Sequence, residues 1–222
     1  MNASPAAVME TRPRIHLAPP EDSQPHPVPA PMDFALRWDS PYDNGEVQTV
    51  VRLFLTQPAY ARVHIHAASD LDNEVGGILV GQWCLDTATN SRFLVIENVL
   101  RARYTRQSRV HLTFTQDSLV HFHDIIEQRF AGKQIVGWYH THPRMGVFLS
   151  HYDTWLHNHF FSEPWQVALV VEPYSCMGGF FIRQNSGVLD PSRYFGFYEM
   201  NGRLGHSTIR WQNLSCSGNE SE

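Results

Sequence analysis

The sequence predicts a mixed α/β fold, an α/β/α layered domain built around one sheet. Two observations carry this. Strand-length runs of apolar and β-branched residues alternate with stretches of helical periodicity, in the order strand, helix, strands, helix, strand, helix, strands. Two of the runs, 75–81 and 134–139, are almost continuously apolar, as strands covered on both faces are. The 222 residues, 42% of them hydrophobic, suffice for one core plus a tail.

Residues 1–38 read as a flexible tail. Eight of the fourteen prolines fall before residue 32, and large apolar side chains are few, so burial cannot offset ordering entropy. Ordered structure is expected after the polar stretch 39–46, with the domain covering 47–203. Residues 47–55 form a strand and 57–68 a helix, with Pro58 tolerated in its first turn. A turn at 70–73 delivers Glu74 to the strand 75–81, whose glycines permit close backbone approach. Strands follow at 93–99 and 110–114, joined by a segment bearing Arg101, Arg103, Arg106 and Arg109. Thr115 to Ser118 offer N-caps for a helix reaching about residue 130, which Gly132 ends. The strand from 134 comes next, then a short helix from Asp153 to about 161. Strands at 165–171 and 179–183 and one more strand or hairpin within 194–203 complete the domain. Residues 213–222 are polar and read as a second tail.

Composition narrows the function classes. A net charge of −5 and the lack of a basic stripe with interleaved aromatics argue against nucleic acid as a partner. No apolar run approaches membrane-spanning length, and no secretory signal precedes the domain. Cys84, Cys176 and Cys216 are odd in number and scattered, so neither a disulfide framework nor a cysteine metal site is expected. A cytoplasmic location is the expectation. The arginine segment reads either as a solvated loop or as a contact for an acidic or polar partner surface.

The chemistry concentrates in 138–153. The strand from 134 delivers His140 and His142 at i and i+2, and alternation turns both rings to one side. Pro143 then ends the ladder, having no N–H to donate. Ser150 and Asp153 sit three apart, with Ser150 placed to cap a helix. Two imidazoles and a carboxylate make a catalytic zinc set, with a fourth position left for water. His-x-His alone is weak, since it recurs at His64/His66, His121/His123 and His157/His159. The 157/159 pair falls on a helix, where i and i+2 do not share a face, and reads as surface or packing. Glu74, an acid heading a buried glycine-rich strand, is either a surface residue at a strand entrance or a general base. Ser150 is either only an N-cap or also an oxyanion donor.

Glu74 ahead of the Val75–Gly81 run, His140-x-His142-Pro143, seven residues from Pro143 to Leu149, then Ser150-x-x-Asp153 together resemble the signature of the JAMM (MPN+) zinc metalloproteases. The resemblance covers about residues 47–185. It implies a cytidine-deaminase-like α/β/α layered domain around one mixed, mainly antiparallel sheet. It also implies one catalytic Zn2+ held by His140, His142 and Asp153, with Glu74 as general acid/base and Ser150 as oxyanion stabiliser. The implied reaction is isopeptide or peptide hydrolysis after the C-terminal glycine tail of ubiquitin or a ubiquitin-like protein. Ubiquitin-like conjugation enzymes are implied as further partners. By the same resemblance, Arg101, Arg103, Arg106 and Arg109 lie where the family carries a substrate-gripping insertion. Trimming of a sulfur-carrier or ubiquitin-like precursor, and a non-catalytic interaction module, are the alternatives.

Overall fold

Ten strands and three helices are found among the residues that the computed structural model describes, 28–29, 35–102, 116–200 and 206–217. The strands are β1 (Val28–Pro29), β2 (Ala35–Asp39), β3 (Arg52–Thr56), β4 (Gly76–Asp86), β5 (Ser91–Arg101), β6 (Gln134–Thr141), β7 (Val167–Glu172), β8 (Met177–Phe181), β9 (Phe197–Met200) and β10 (Ser215–Ser217). The helices are α1 (Gln57–Ala67), α2 (Gln116–Arg129) and α3 (His151–Phe160). One mixed sheet runs β10-β2-β9-β3-β5-β4-β6-β7-β8, with β1 paired alongside β4. The mixed α/β class expected from the sequence is the class observed.

β4 and β5 form the longest antiparallel pair, and their tip turns where Asp86 Oδ1 accepts the Ala88 N–H. The glycines of β4 are there for proximity. A Cβ on Gly77 would collide with the Leu100 carbonyl oxygen, and one on Gly81 with that of Val95. β6 pairs antiparallel with β4 and parallel with β7, which places it centrally and explains its apolar composition. Its side chains alternate between two layers. The Tyr139 hydroxyl meets His66 Nδ1 of α1 at 2.8 Å, whereas Trp138 Nε1 donates to His157 Nδ1 of α3 at 3.1 Å. Successive strand residues point to opposite faces, so α1 and α3 cover opposite sides of the sheet.

Several boundaries differ from expectation. Ala35–Asp39 lies inside the stretch read as tail, yet it pairs with β9 and β10, and Trp38 is buried with its Nε1–H on Glu199 Oε2. Proline density up to residue 31 masked the alternation of Leu36 and Trp38. The polar stretch 39–46 is therefore an internal loop. Asp43 Oδ2 accepts the N–H of Ser40 and of Gly196, and Ser40 Oγ donates to the Tyr194 carbonyl. Of the run 47–55, only the part from Arg52 joins the sheet in register. Thr49 bridges to Gln184, and Val50 N–H bonds the Arg183 carbonyl. At the other end, Asn213 exchanges hydrogen bonds with the Gly178 backbone and covers the edge of β8, and Ser215–Ser217 forms β10. The strand expected at 110–114 lies outside the described residues. No helix among the described residues is long and apolar enough to cross a membrane.

Candidate metal centre

His140 and His142 arrive together because β6 is extended through Thr141 and held on both edges. His140 pairs with Gly76 of β4 and Val170 of β7, and the His142 N–H continues the second ladder onto the Val171 carbonyl at 2.9 Å. Pro143 then turns the chain away. The same frame delivers Glu74. Thr141 N–H bonds the Val75 carbonyl at 2.8 Å, and Val75 N–H bonds Thr141 Oγ1 at 2.9 Å, which pins the residue next to Glu74 against the residue between the histidines.

Asp153 comes from the first turn of α3. Ser150 is the N-cap of that helix. Its Oγ accepts the Asp153 N–H at 3.1 Å, and Asp153 Oδ2 accepts the Ser150 N–H at 2.7 Å, a reciprocal capping box. The box holds the carboxylate at the helix start, where the macrodipole favours negative charge.

These elements converge. One ligand atom from each of His140, His142 and Asp153 lies within 4.8 Å of the other two, and all three residues are buried. His140 Nε2 is 2.9 Å from His142 Nε2 and 3.4 Å from Asp153 Oδ1, and His142 Nε2 is 3.6 Å from Asp153 Oδ2. Glu74, 4% exposed, places Oε1 3.9 Å from His142 Nε2. Burial, the largest influence on His140, lowers its pKa below the ordinary imidazole value and favours the neutral ring, the form that binds metal. Burial pushes the Asp153 carboxyl up. His140 beside it, with hydrogen bonds from His140, His142 and Ser150, outweighs that and holds its pKa below the ordinary carboxylate range.

The donor set fits a zinc ion: two neutral imidazole nitrogens and a carboxylate, too close together to be three independently satisfied groups. One feature departs from common metal sites. Ligating histidines usually donate their second ring N–H to a carboxylate or carbonyl. Here Nδ1 of His140 and Nδ1 of His142 are buried and have no hydrogen-bond partner among the described residues.

The other residues marked in the sequence are less tightly assembled. Arg101 ends β5, exposed, in register with Gly77, and its charge acts on His66 and Tyr139 on the α1 side. Arg103, Arg106 and Arg109 lie outside the described residues. His159 is exposed, with Nδ1 on the Trp155 carbonyl, whereas His157 is fully buried, so the two roles considered for that pair are divided between them. Sequence reasoning passed over Thr141, Trp138 and Glu172. Glu172 Oε1 accepts the Arg144 and Tyr174 N–H groups and Oε2 that of Ser175, fastening the loop after His142 to the turn after β7. The one signal for Trp138 was its position two residues before His140, on the same strand face.

The chain is similar in sequence to several known proteins. The chain is 28% identical over 118 residues to COP9 signalosome complex subunit 5 of Dictyostelium discoideum, an overlap covering 52% of this chain and 34% of that protein. It is 26% identical over 141 residues to 26S proteasome non-ATPase regulatory subunit 14 of Caenorhabditis elegans, covering 63% and 44%. It is 34% identical over 79 residues to the NAD(+) hydrolase TcpA of Theionarchaea archaeon (strain DG-70-1), covering 35% and 24%. The chain thus spans less than half the length of each of these relatives. The model of the JAB1/Mov34/MPN/PAD-1 ubiquitin protease family matches residues 48–163, more than half of the chain and a range that contains Glu74, His140, His142, Ser150 and Asp153, and the chain belongs to that family.

Proposed function

We propose that this protein is a zinc-dependent isopeptidase that hydrolyses the bond following the C-terminal glycine tail of ubiquitin or a ubiquitin-like protein. The observation that carries this reading is the convergence of His140, His142 and Asp153 with the Glu74 carboxylate 3.9 Å from the nearest ligand nitrogen. His140, His142 and Asp153 would hold the ion. When bound, zinc supplies Lewis-acid polarisation of a carbonyl and lowers the pKa of water from about 15.7 toward about 7.

The protein's own groups handle the proton and the charge. Glu74 takes the proton of the attacking water and passes it to the leaving amine. Its burial beside the ligands keeps it within reach of both, and Thr141 holds the neighbouring Val75. Ser150 Oγ accepts the Asp153 N–H and keeps one O–H, which donates to the oxyanion as it develops. A glycine tail added to a strand edge would be bound by backbone hydrogen bonds without side-chain pockets, which suits a substrate defined by glycines. Arg101, Arg103, Arg106 and Arg109 are proposed to grip the body of the substrate. A cytoplasmic setting and ubiquitin-like conjugation enzymes as further partners belong to the same reading.

The test is incubation of the purified chain with ubiquitin and ubiquitin-like fusions carrying either a lysine-linked or an α-linked leaving group. Cleavage immediately after the glycine tail, lost with a chelator and regained with zinc, is expected. Absence of cleavage from zinc-loaded protein across the panel overturns the reading. Selective cleavage of α-linked fusions moves it to precursor trimming.

A further inference from the structure

We infer that Trp138 and His157 are positioning residues that fix the ring of His140, doing by aromatic stacking what a hydrogen bond to the second ring nitrogen does in most zinc sites. The inference rests on the proposed metal site. The Trp138 indole lies against the His140 imidazole with ring centres 4.6 Å apart and planes only 8° from parallel. Nothing among the described residues accepts a hydrogen bond from His140 Nδ1, so the stack on its face is the contact that can set the plane of this ring. The indole is itself held by its Nε1–H, which reaches His157 Nδ1 at 3.1 Å, and Phe161 stacks on both Trp138 and His157. Trp138, His140 and His157 are each fully buried.

The state of His157 agrees with this role. Burial, aided by the nearby Arg183 charge, lowers its pKa to about 3, so the ring is neutral and Nδ1 has a lone pair to offer. The proton then sits on Nε2, which is buried with no acceptor among the described residues. A buried donor left unmade costs free energy. Leucine would fill the same space and remove that unpaired donor, but it would take the acceptor from the buried Trp138 Nε1–H, so what the histidine supplies at this position is Nδ1. Loss of His157 therefore exchanges one poorly satisfied buried donor for another, so metal affinity should change where stability changes little.

The experiment measures zinc affinity by competition with a chromogenic chelator, and thermal stability of the zinc-free protein, for four variants. His157→Leu removes the acceptor, and zinc affinity should fall 10- to 100-fold, the usual cost of losing such support, while the zinc-free melting temperature stays close to that of the parent. His157→Asn keeps an acceptor where Nδ1 lies and should hold zinc within about threefold of the parent, by the same comparison. Trp138→Phe keeps a stacking ring but loses the N–H donor, so it should match the loss in His157→Leu, and combining the two should add nothing further. Parent-like zinc affinity in His157→Leu, or additive losses in the double variant, overturns the inference. Should His157→Leu not fold, Trp138→Phe and His157→Asn decide the question on the same readout. A parent protein that binds zinc but cleaves nothing removes the proposed reaction and leaves this inference standing; one that binds no zinc removes both.

Discussion

At the residue scale, the proposed chemistry depends on Glu74 acting beside the metal rather than on it. Its carboxylate lies 3.9 Å from His142 Nε2, outside the three-residue ligand set. Glu74→Gln preserves shape and removes the base, so turnover should fall 10²–10⁴-fold, the range assigned to a positioned general base, with zinc content unchanged. Metal analysis and single-turnover cleavage check this, and undiminished hydrolysis would remove the assignment. Ser150 carries two roles that can be separated because caps tolerate glycine. Ser150→Ala loses the capping interaction and should destabilise the protein by about 1 kcal/mol, whereas Ser150→Gly should cost only a few tenths. Both remove the hydroxyl, so both should lower kcat by about 10²–10³-fold if the group stabilises the oxyanion. Chemical denaturation alongside cleavage kinetics distinguishes the effects: activity that tracks stability across the two variants would leave Ser150 as a cap alone.

At the scale of elements, the loop between β6 and α3 is anchored at its start by a buried carboxylate and at its end by the Leu149 N–H on the Pro191 carbonyl. Glu172 accepts the N–H groups of Arg144, Tyr174 and Ser175, and Arg144 sits at φ 62°, a left-handed conformation unfavourable for a residue with a Cβ. Glu172→Ala leaves three donors unpaired and lets Arg144 relax, and should destabilise the protein by about 3 kcal/mol in urea unfolding. The sequence disclosed the centre but not this support, for a physical reason. The facing of His140 and His142 follows from alternation along one strand, and the Ser150–Asp153 box from one turn of helix; both are local. The contacts of Thr141 with Val75, of Glu172 with Arg144 and of Trp38 with Glu199 join segments 28 to 161 residues apart, and no short-range pattern records them. The strand Ala35–Asp39 was hidden for the same reason, since its partners β9 and β10 lie at the other end of the chain. His157 was judged against His159, two residues away on a helix, when the residue it serves is Trp138 on a different element.

At the scale of the whole molecule, two buried histidines outside the metal centre, His66 and His157, make stability depend on pH with a defined sign. Burial, together with the Arg101 charge, lowers the pKa of His66 to about 4; burial with the Arg183 charge lowers that of His157 to about 3. In the unfolded chain both return to the ordinary value of 6.5. Below that value the unfolded state binds protons that the folded state refuses, so stability is fully present above about pH 6.5 and drains away as pH falls toward each folded value. For His157, whose ring is fully buried, lowering the pH from 7 to 5 should remove about 2 kcal/mol, at about 1.4 kcal/mol per unit of pH below the unfolded pKa. Metal loss on acidification would act in the same direction, so the measurement belongs in zinc-free protein, comparing the parent with His157→Leu. The variant lacks this linkage but keeps that of His66. Its stability relative to the parent should therefore rise by about 2 kcal/mol between pH 7 and pH 5. A constant difference between the two urea-unfolding curves over that interval would mean that His157 takes up its proton in the folded protein as readily as in the unfolded chain, so that its ring is charged by pH 5. A protonated ring could not accept the Trp138 N–H at Nδ1, and the clamp on His140 would lose its physical basis.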